Sequence, residues 1–115
     1  MNRVQILDCT LRDGGYCNEW KFGYKNKNII VNELCNANID IIECGYLTER
    51  ALHDKDSTKF ISIEEVNEFL KIVDNNHLYV VMVNYGEYNN IKIPHYSLHG
   101  VEGIRVCQII VLDFP

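Results

Sequence analysis

The chain alternates apolar, β-branched segments with segments of helical periodicity. The predicted strands are 4–10 (VQILDCT), 39–45 (IDIIECG), 78–86 (LYVVMVNYG) and a part of 102–112 (EGIRVCQIIVL). Helices are predicted between them, over 26–38 and 62–76. Strands separated by helices are typical of parallel βαβ units, and continuous apolar runs such as YVVMV are typical of strands covered on both faces. The alternation therefore predicts an α/β domain with a parallel sheet.

The two predicted helices carry apolar stripes. In the first helix, the stripe consists of Ile30, Leu34 and Ala37. The second helix is the clearer, because Ser62 and Glu65 have the spacing of a capping box. Its apolar stripe consists of Ile63, Val66, Leu70 and Val73.

The composition is that of a cytosolic globular protein. A chain of 115 residues has the size of one domain, and 47% hydrophobic residues suffice for a modest core. The net charge of −5 argues against nucleic acid or an anionic membrane as a partner. No apolar run approaches the length of a membrane span, and the N-terminus lacks the apolar stretch of a signal peptide. The five cysteines are odd in number and form no CxxC pair, so free thiols are predicted.

Polar residues follow the predicted strands where a parallel sheet collects its chemistry, at the carboxyl ends. The segment LDCTLRDGG places Arg12 and Asp13 after the first strand, and Glu43 and Asn84 lie near the exits of the second and third. A carboxylate there can ligate a divalent cation, and an arginine can stabilise a developing enolate oxygen. The glycines Gly14–Gly15 would let the backbone pass close to a ligand. The residues alone leave a second interpretation open, in which Arg12 and Asp13 form a structural ion pair beside a turn.

The string LDCTLRDGGYCNEWKFG resembles the first-strand signature of the metal-dependent carbon–carbon lyases and synthases built on TIM barrels. That family includes 4-hydroxy-2-oxovalerate aldolase, 3-hydroxy-3-methylglutaryl-CoA lyase and 2-isopropylmalate synthase. The segments IDIIECGYL, HDKDSTKF, SIEEVNEF and GIRV resemble the aldolase-like branch, and the resemblance covers about residues 4–106. It implies that residues 1–115 form the first half of a (β/α)8 barrel, about four βα units, with an apparent truncation after about residue 106.

The resemblance also implies roles for individual residues. Asp13 matches the aspartate that ligates Mn2+ or Mg2+, and Arg12 matches the arginine that stabilises the enolate of a pyruvate-like intermediate. Glu43 falls where some members carry a polar active-site residue. Tyr16 stands in the position of a catalytic histidine, and a phenol is a weaker base than imidazole at neutral pH. The chain contains no His-x-His pair of the kind that completes the family's metal site.

The expected function is therefore metal-dependent, aldolase-type cleavage of a 4-hydroxy-2-oxo acid, or related pyruvate-enolate chemistry. In a chain of this length the catalyst is expected to be incomplete and to hold its metal weakly. The alternative is a non-catalytic α/β module that acts by binding or assembly. A half barrel would leave open sheet edges, which predicts self-association. The long polar segment 46–60 is predicted to be a mobile lid on the catalytic edge.

Overall fold

The computed structural model describes residues 3–71, 73, 77–95 and 100–108. In these ranges the strands are β1 (Leu7–Asp8), β2 (Ile41–Leu47), β3 (Lys59–Phe60), β4 (Leu78–Asn84) and β5 (Val101–Cys107). The α-helices are α1 (Thr10–Asp13), α2 (Tyr24–Asn36) and α3 (Ile63–Leu70). Two 3-10 turns lie at Gly14–Cys17 and Asn90–Lys92. None of the helices in these ranges has the length and apolar character needed to cross a membrane.

The sheet is parallel throughout, in the order β1-β2-β4-β5. The short strand β3, which the sequence pattern did not predict, pairs in parallel with the end of β2. The four predicted strands are thus neighbours in chain order, and the α/β class with a parallel sheet is confirmed. Their carboxyl ends lie on one edge, which is where Asp13, Asn84 and the start of the 48–58 loop are found.

The first strand is much shorter than the predicted 4–10, because Asp8 turns the chain into a helix. Its carboxylate accepts hydrogen bonds from the backbone N–H of Thr10 at 2.9 Å and from the Thr10 hydroxyl at 3.0 Å. The helix α1 then begins at Thr10, and the prediction of strand up to that residue is wrong. The consequence is that Arg12 and Asp13 lie on a helical turn directly above the sheet rather than in a strand.

The hydrophobic core lies between one face of the sheet and the two longer helices. The sheet contributes the buried side chains Ile42, Cys44, Tyr79, Val81 and Val83. The predicted stripe of α3 is confirmed, since its four residues are buried. Its cap is confirmed as well, because the Glu65 N–H donates to the Ser62 hydroxyl at 3.2 Å. Within the described residues α3 ends at Leu70, and positions 72 and 74–76 of the predicted helix lie outside the described residues.

The buried stripe of α2 is shifted by one position from the prediction. Ile30 and Leu34 are only partly buried and Ala37 is exposed, whereas Val31 and Cys35 are in the core. The third buried residue of this helix is Lys27, a charged residue that an apolar pattern cannot identify. All five cysteines are free, as predicted.

Backbone hydrogen bonds join the two ends of the segment 46–60 to each other. The Tyr46 N–H donates to the Thr58 carbonyl, and the Thr48 N–H donates to the Phe60 carbonyl, both at 2.9 Å. Thr48 and Thr58 are fully buried, whereas residues 52–56 are exposed. The anchored ends limit the predicted mobile region to the middle of the segment.

Hydrogen exchange should therefore be slow at the two ends of this segment and fast in its middle. We expect the amides of Tyr46, Thr48 and Thr58 to be protected, because each is hydrogen-bonded to a backbone carbonyl. The amides of residues 52–55 should exchange close to the rate of an unstructured peptide. Uniform protection from 46 to 60 would exclude a lid, and uniform rapid exchange would contradict the anchoring.

Candidate functional site

Three charged side chains meet on the face of the sheet opposite the long helices. Strand pairing places Glu43 of β2, Val80 and Met82 of β4 and Arg105 of β5 on this face. Arg12 reaches the same point from α1 above the edge. The sequence alone predicted a cluster at this edge but did not predict which residues contact each other.

Glu43 joins two guanidinium groups. Its Oε1 accepts from Arg12 Nε at 2.6 Å and from Arg105 Nη2 at 3.0 Å, and its Oε2 accepts from Arg105 Nε at 2.6 Å. The Glu43 side chain is 0% exposed, whereas that of Arg105 is 40% exposed. We call Arg12, Glu43 and Arg105 the arginine–glutamate triad.

The triad carries one net positive charge. For Arg12, burial opposes the charged form, but the hydrogen bond and the attraction to Glu43 outweigh it and raise the pKa of Arg12. For Arg105, the hydrogen bond to Glu43 outweighs burial and raises the pKa of Arg105. Both guanidinium groups therefore stay charged at any physiological pH. The described bonds to Glu43 and Asp13 use Nε and Nη1 of Arg12, and none of the described hydrogen bonds uses its Nη2.

Glu43 does not lie where the sequence analysis expected it. It was expected near the exit of the second strand, but it is the third of seven residues in β2 and is fully buried. Because both of its oxygens accept from guanidinium groups, it orients the two arginines. It is therefore not placed to act as a free base or as a second metal ligand.

Asp13 lies beside the triad and is open to solvent. Its side chain is 64% exposed, and its Oδ1 accepts from Arg12 Nη1 at 3.1 Å. This contact agrees with the ion pair that the residues alone left open, and the exposure leaves the carboxylate accessible to a cation. In the part of the chain that the structure describes, no three His, Cys, Asp or Glu side chains are grouped as a metal site. The described residues thus offer Asp13 as one ligand rather than a complete coordination shell.

Tyr16 is on the surface near this site and is 68% exposed. Its ring contacts Trp20 edge-on, with the ring centroids 4.9 Å apart. The indole N–H of Trp20 donates to the Arg12 carbonyl at 2.8 Å, so the aromatic pair supports the helical turn that carries Arg12. Tyr16 itself has no described contact with the triad.

Packing requires glycine at position 15 but not at position 14. Both residues lie in a 3-10 turn, and a Cβ on Gly15 would come within 1.9 Å of the Trp20 ring. The close contact with Trp20 is reason enough for a glycine at position 15. Gly14 has only ordinary contacts around its Cβ position.

The loop after β2 supports the same turn from the other side. The Thr58 hydroxyl donates to the Leu11 carbonyl at 2.7 Å, and the Thr58 N–H donates to the Trp20 carbonyl at 2.9 Å. The buried Lys27 ammonium donates to the neighbouring Ser57 carbonyl at 2.9 Å. These bonds tie the backbone on both sides of Arg12 and Asp13 to the rest of the fold.

A second polar group on the same face was not predicted from the sequence. Tyr46 hydrogen-bonds through its hydroxyl to the Glu87 carboxylate, and Asn84 Nδ2 donates to the Tyr46 hydroxyl at 3.1 Å. A register shift between Glu43 and Tyr46 in β2 brings Tyr46 opposite Met82, and so onto the face of the triad. Asn84 was expected at the end of its strand, and it is the last residue of β4. The only sequence signal for Tyr46 is Gly45, a residue that often marks a bulge in a strand.

Comparison of the chain with protein-family models, with curated proteins and with solved structures found no match.

Proposed function

We propose that this chain binds a 2-oxo acid at the arginine–glutamate triad and performs aldolase-type carbon–carbon bond cleavage slowly, as an incomplete catalyst whose metal site has one protein ligand. The substrate would be a 4-hydroxy-2-oxo acid, and the products would be pyruvate or a homologue and an aldehyde. In this reaction the C3–C4 bond breaks, its electrons move toward the C2 oxygen, and the C4 hydroxyl loses its proton. The enolate that forms is the species that Arg12 would stabilise.

The observation that carries this proposal is the pairing of two guanidinium groups by one buried carboxylate. A single arginine neutralised by Glu43 would have little attraction for an anion. Two arginines around one glutamate retain one positive charge, which Asp13 balances through Arg12 Nη1 until a bound cation neutralises that carboxylate. In this partly buried place electrostatic interactions are stronger than in water. A 2-oxo acid presents its carboxylate and C2 oxygen on adjacent carbons, which suits two neighbouring guanidinium groups.

Asp13 would hold the divalent cation, Mn2+ or Mg2+, that the sequence resemblance implies. A cation next to the C2 oxygen would add to the electrostatic stabilisation of the enolate. Such cations require several oxygen ligands. Both oxygens of Glu43 already accept hydrogen bonds from Arg12 and Arg105, so Glu43 would not be among these ligands. Water and the substrate would therefore fill most of the coordination sphere.

Weak metal binding follows from this arrangement. Calorimetric titration of the chain with Mn2+ should give a dissociation constant of about 0.1 mM or weaker, because one carboxylate supplies the protein ligand. The variant Asp13→Ala should lose this binding, whereas Glu33→Ala, which removes an exposed carboxylate from α2, should keep it. Binding that survives Asp13→Ala would place the metal elsewhere.

A cleavage assay tests the proposed function. The purified chain with Mn2+ and 4-hydroxy-2-oxopentanoate should release pyruvate, and Arg12→Lys should lower the rate by about 100-fold, because lysine lacks the fork that contacts both Glu43 and the substrate. Arg3→Lys, at an exposed arginine before β1, is the matched control and should leave the rate unchanged. Release of no pyruvate, or equal rates in both variants, would contradict the proposal.

A second function, assembly with another copy, is favoured by the two ends of the sheet. In the described residues β1 and β5 are edge strands, and Val106 on β5 is 59% exposed. Val4 and Ile6, just before β1, are exposed as well. Light scattering should give a dimer mass if the edges pair, and Val106→Lys should then shift it toward the monomer. A monomer mass at high protein concentration would exclude this function.

A further inference from the structure

The proposed function, as stated so far, gives no role to the second polar group, which Tyr46, Asn84 and Glu87 form. Tyr46 is 8% exposed, so its hydroxyl is held in place rather than free in solvent. It hydrogen-bonds to Glu87 and accepts from Asn84. Asn84 Nδ2 also lies 3.3 Å from Glu87 Oε2, so the three side chains form a closed network.

This network lies in the same row of the sheet as the triad. Tyr46 and Arg105 are both paired with Met82, one from each side. Neighbouring strands are about 4.8 Å apart, so the backbones of Tyr46 and Arg105 are separated by roughly 10 Å. Their side chains project from the same face of the sheet. A ligand held by the two arginines would therefore extend toward the Tyr46 hydroxyl.

The distance suits a ligand with a polar group a few bonds from its carboxylate. In a 4-hydroxy-2-oxo acid the C4 oxygen lies about 5 Å from the carboxylate carbon. The long arginine and tyrosine side chains can cover the remaining separation. We infer that the Tyr46 hydroxyl, backed by the Glu87 carboxylate, recognises the C4 hydroxyl of the substrate and takes its proton during cleavage. This inference rests on the proposed function and names the group that selects the hydroxylated substrate.

The proton transfer is balanced within these residues. As the C3–C4 bond breaks, the proton of the C4 hydroxyl passes to the Tyr46 oxygen while the proton of Tyr46 passes to Glu87. The C4 oxygen becomes the carbonyl oxygen of the released aldehyde, and the bond electrons go to the enolate, which takes a proton from water at C3 to give pyruvate. The hydrogen bond from Tyr46 lowers the pKa of Glu87, so this carboxyl is ionised at neutral pH. It accepts a proton only as the C4 hydroxyl becomes strongly acidic during the breaking of the C3–C4 bond. Burial, and then the bond to Glu87, raise the pKa of Tyr46, so its phenol keeps its proton in the resting state.

Other charged groups near the network do not supply an alternative acceptor. Arg50 and Lys59 are cations whose attraction lowers the pKa of Glu87 further. The Lys59 ammonium lies 5.9 Å from the centroid of the Tyr46 ring, over the ring and not in the described hydrogen bonds of the hydroxyl. Among the described hydrogen-bond partners of the Tyr46 hydroxyl, Glu87 is therefore the group that can accept its proton.

A matched pair of ligands tests this inference without relying on turnover. The chain is titrated in the presence of a chelator with 4-hydroxy-2-oxopentanoate and with 2-oxopentanoate, which differ only in the C4 hydroxyl. The wild type should bind the hydroxylated acid about 10-fold more tightly, because only this acid has a C4 hydroxyl that can add a hydrogen bond to the Tyr46 hydroxyl. Tyr46→Phe should abolish this preference and leave the affinity for 2-oxopentanoate within about 2-fold.

The outcomes separate the two proposals. Equal affinities in the wild type, or a preference that survives Tyr46→Phe, would overturn the role of Tyr46 and leave the triad site intact. Failure to bind either acid would overturn the proposed function, and this inference with it. In the cleavage assay Tyr46→Phe should lower kcat by about 100-fold and raise KM by about 10-fold, in step with the lost preference for the hydroxylated acid, whereas loss of a merely structural residue would weaken the binding of both acids alike.

Discussion

Replacing Glu43 by glutamine is expected to lower the free energy of unfolding by about 3 kcal/mol, because it leaves two guanidinium groups around a neutral side chain. Glu43 accepts all three of the short bonds that hold Arg12 and Arg105 in place. An amide offers only one oxygen, and its NH2 group would face a cation. This loss of stability is near the lower end of the range for breaking a buried ion pair, because the Arg105 side chain is partly exposed to solvent.

Denaturation by urea measures this effect, with Glu68→Gln as the matched control. Glu68 on α3 forms an exposed ion pair with Lys71, which follows the helix, and the loss of this pair should change stability by less than about 0.5 kcal/mol. Replacing the whole triad by apolar residues of similar size should restore part of the stability lost in Glu43→Gln. A Glu43→Gln protein as stable as the wild type would mean that the triad is not formed in solution.

The second large effect is expected at Gly45, in the bulge between Glu43 and Tyr46. A Cβ at this position would lie 2.1 Å from the Thr58 carbonyl oxygen and 2.8 Å from the Phe60 ring. The backbone of Thr58 cannot easily move, because it is hydrogen-bonded to Tyr46 and Trp20. We expect Gly45→Ala to cost about 3 kcal/mol, at the upper end for an overpacked site.

Gly14→Ala is the control for this substitution. A Cβ on Gly14 would have its nearest neighbour at 3.5 Å, on the Phe22 ring, which is ordinary van der Waals contact. Its effect should stay within about 1 kcal/mol in either direction. Thermal unfolding should show a clearly lower unfolding temperature for Gly45→Ala than for Gly14→Ala. Equal unfolding temperatures would contradict the close contact between the bulge and Thr58.

The sheet could be predicted from the sequence because its strands are long and almost wholly apolar. β2 and β4 start within two residues of their predicted starts, and α3 begins where its capping box placed it. β3 has only two residues, and hydrophobic periodicity carries no signal at that length. The shortening of β1 depends on Asp8 bonding to its own backbone, a local competition that an apolar pattern does not report.

The candidate site was only partly predictable for a different reason. Arg12 and Asp13 were identified because they follow a strand in a distinctive string, and strand order alone places that string at the carboxyl edge. The bond between Glu43 and Arg105 joins residues 62 positions apart, so it depends on the register of three strands. Tyr46 reaches the same face only through the register shift after Glu43, and a period-two pattern would place it on the opposite face.

The central claim is that Arg12, oriented by Glu43, binds the anionic oxygens of a 2-oxo acid enolate, and titration with oxalate tests it most directly. Oxalate has the planar, charged shape of that enolate and cannot be cleaved. We predict saturable binding by the wild type, at least 10-fold weaker binding by Arg12→Gln, and unchanged binding by the control Arg3→Gln. Circular dichroism establishes that both variants are folded. Absence of oxalate binding in the wild type, or equal affinity in wild type and Arg12→Gln, would contradict the claim.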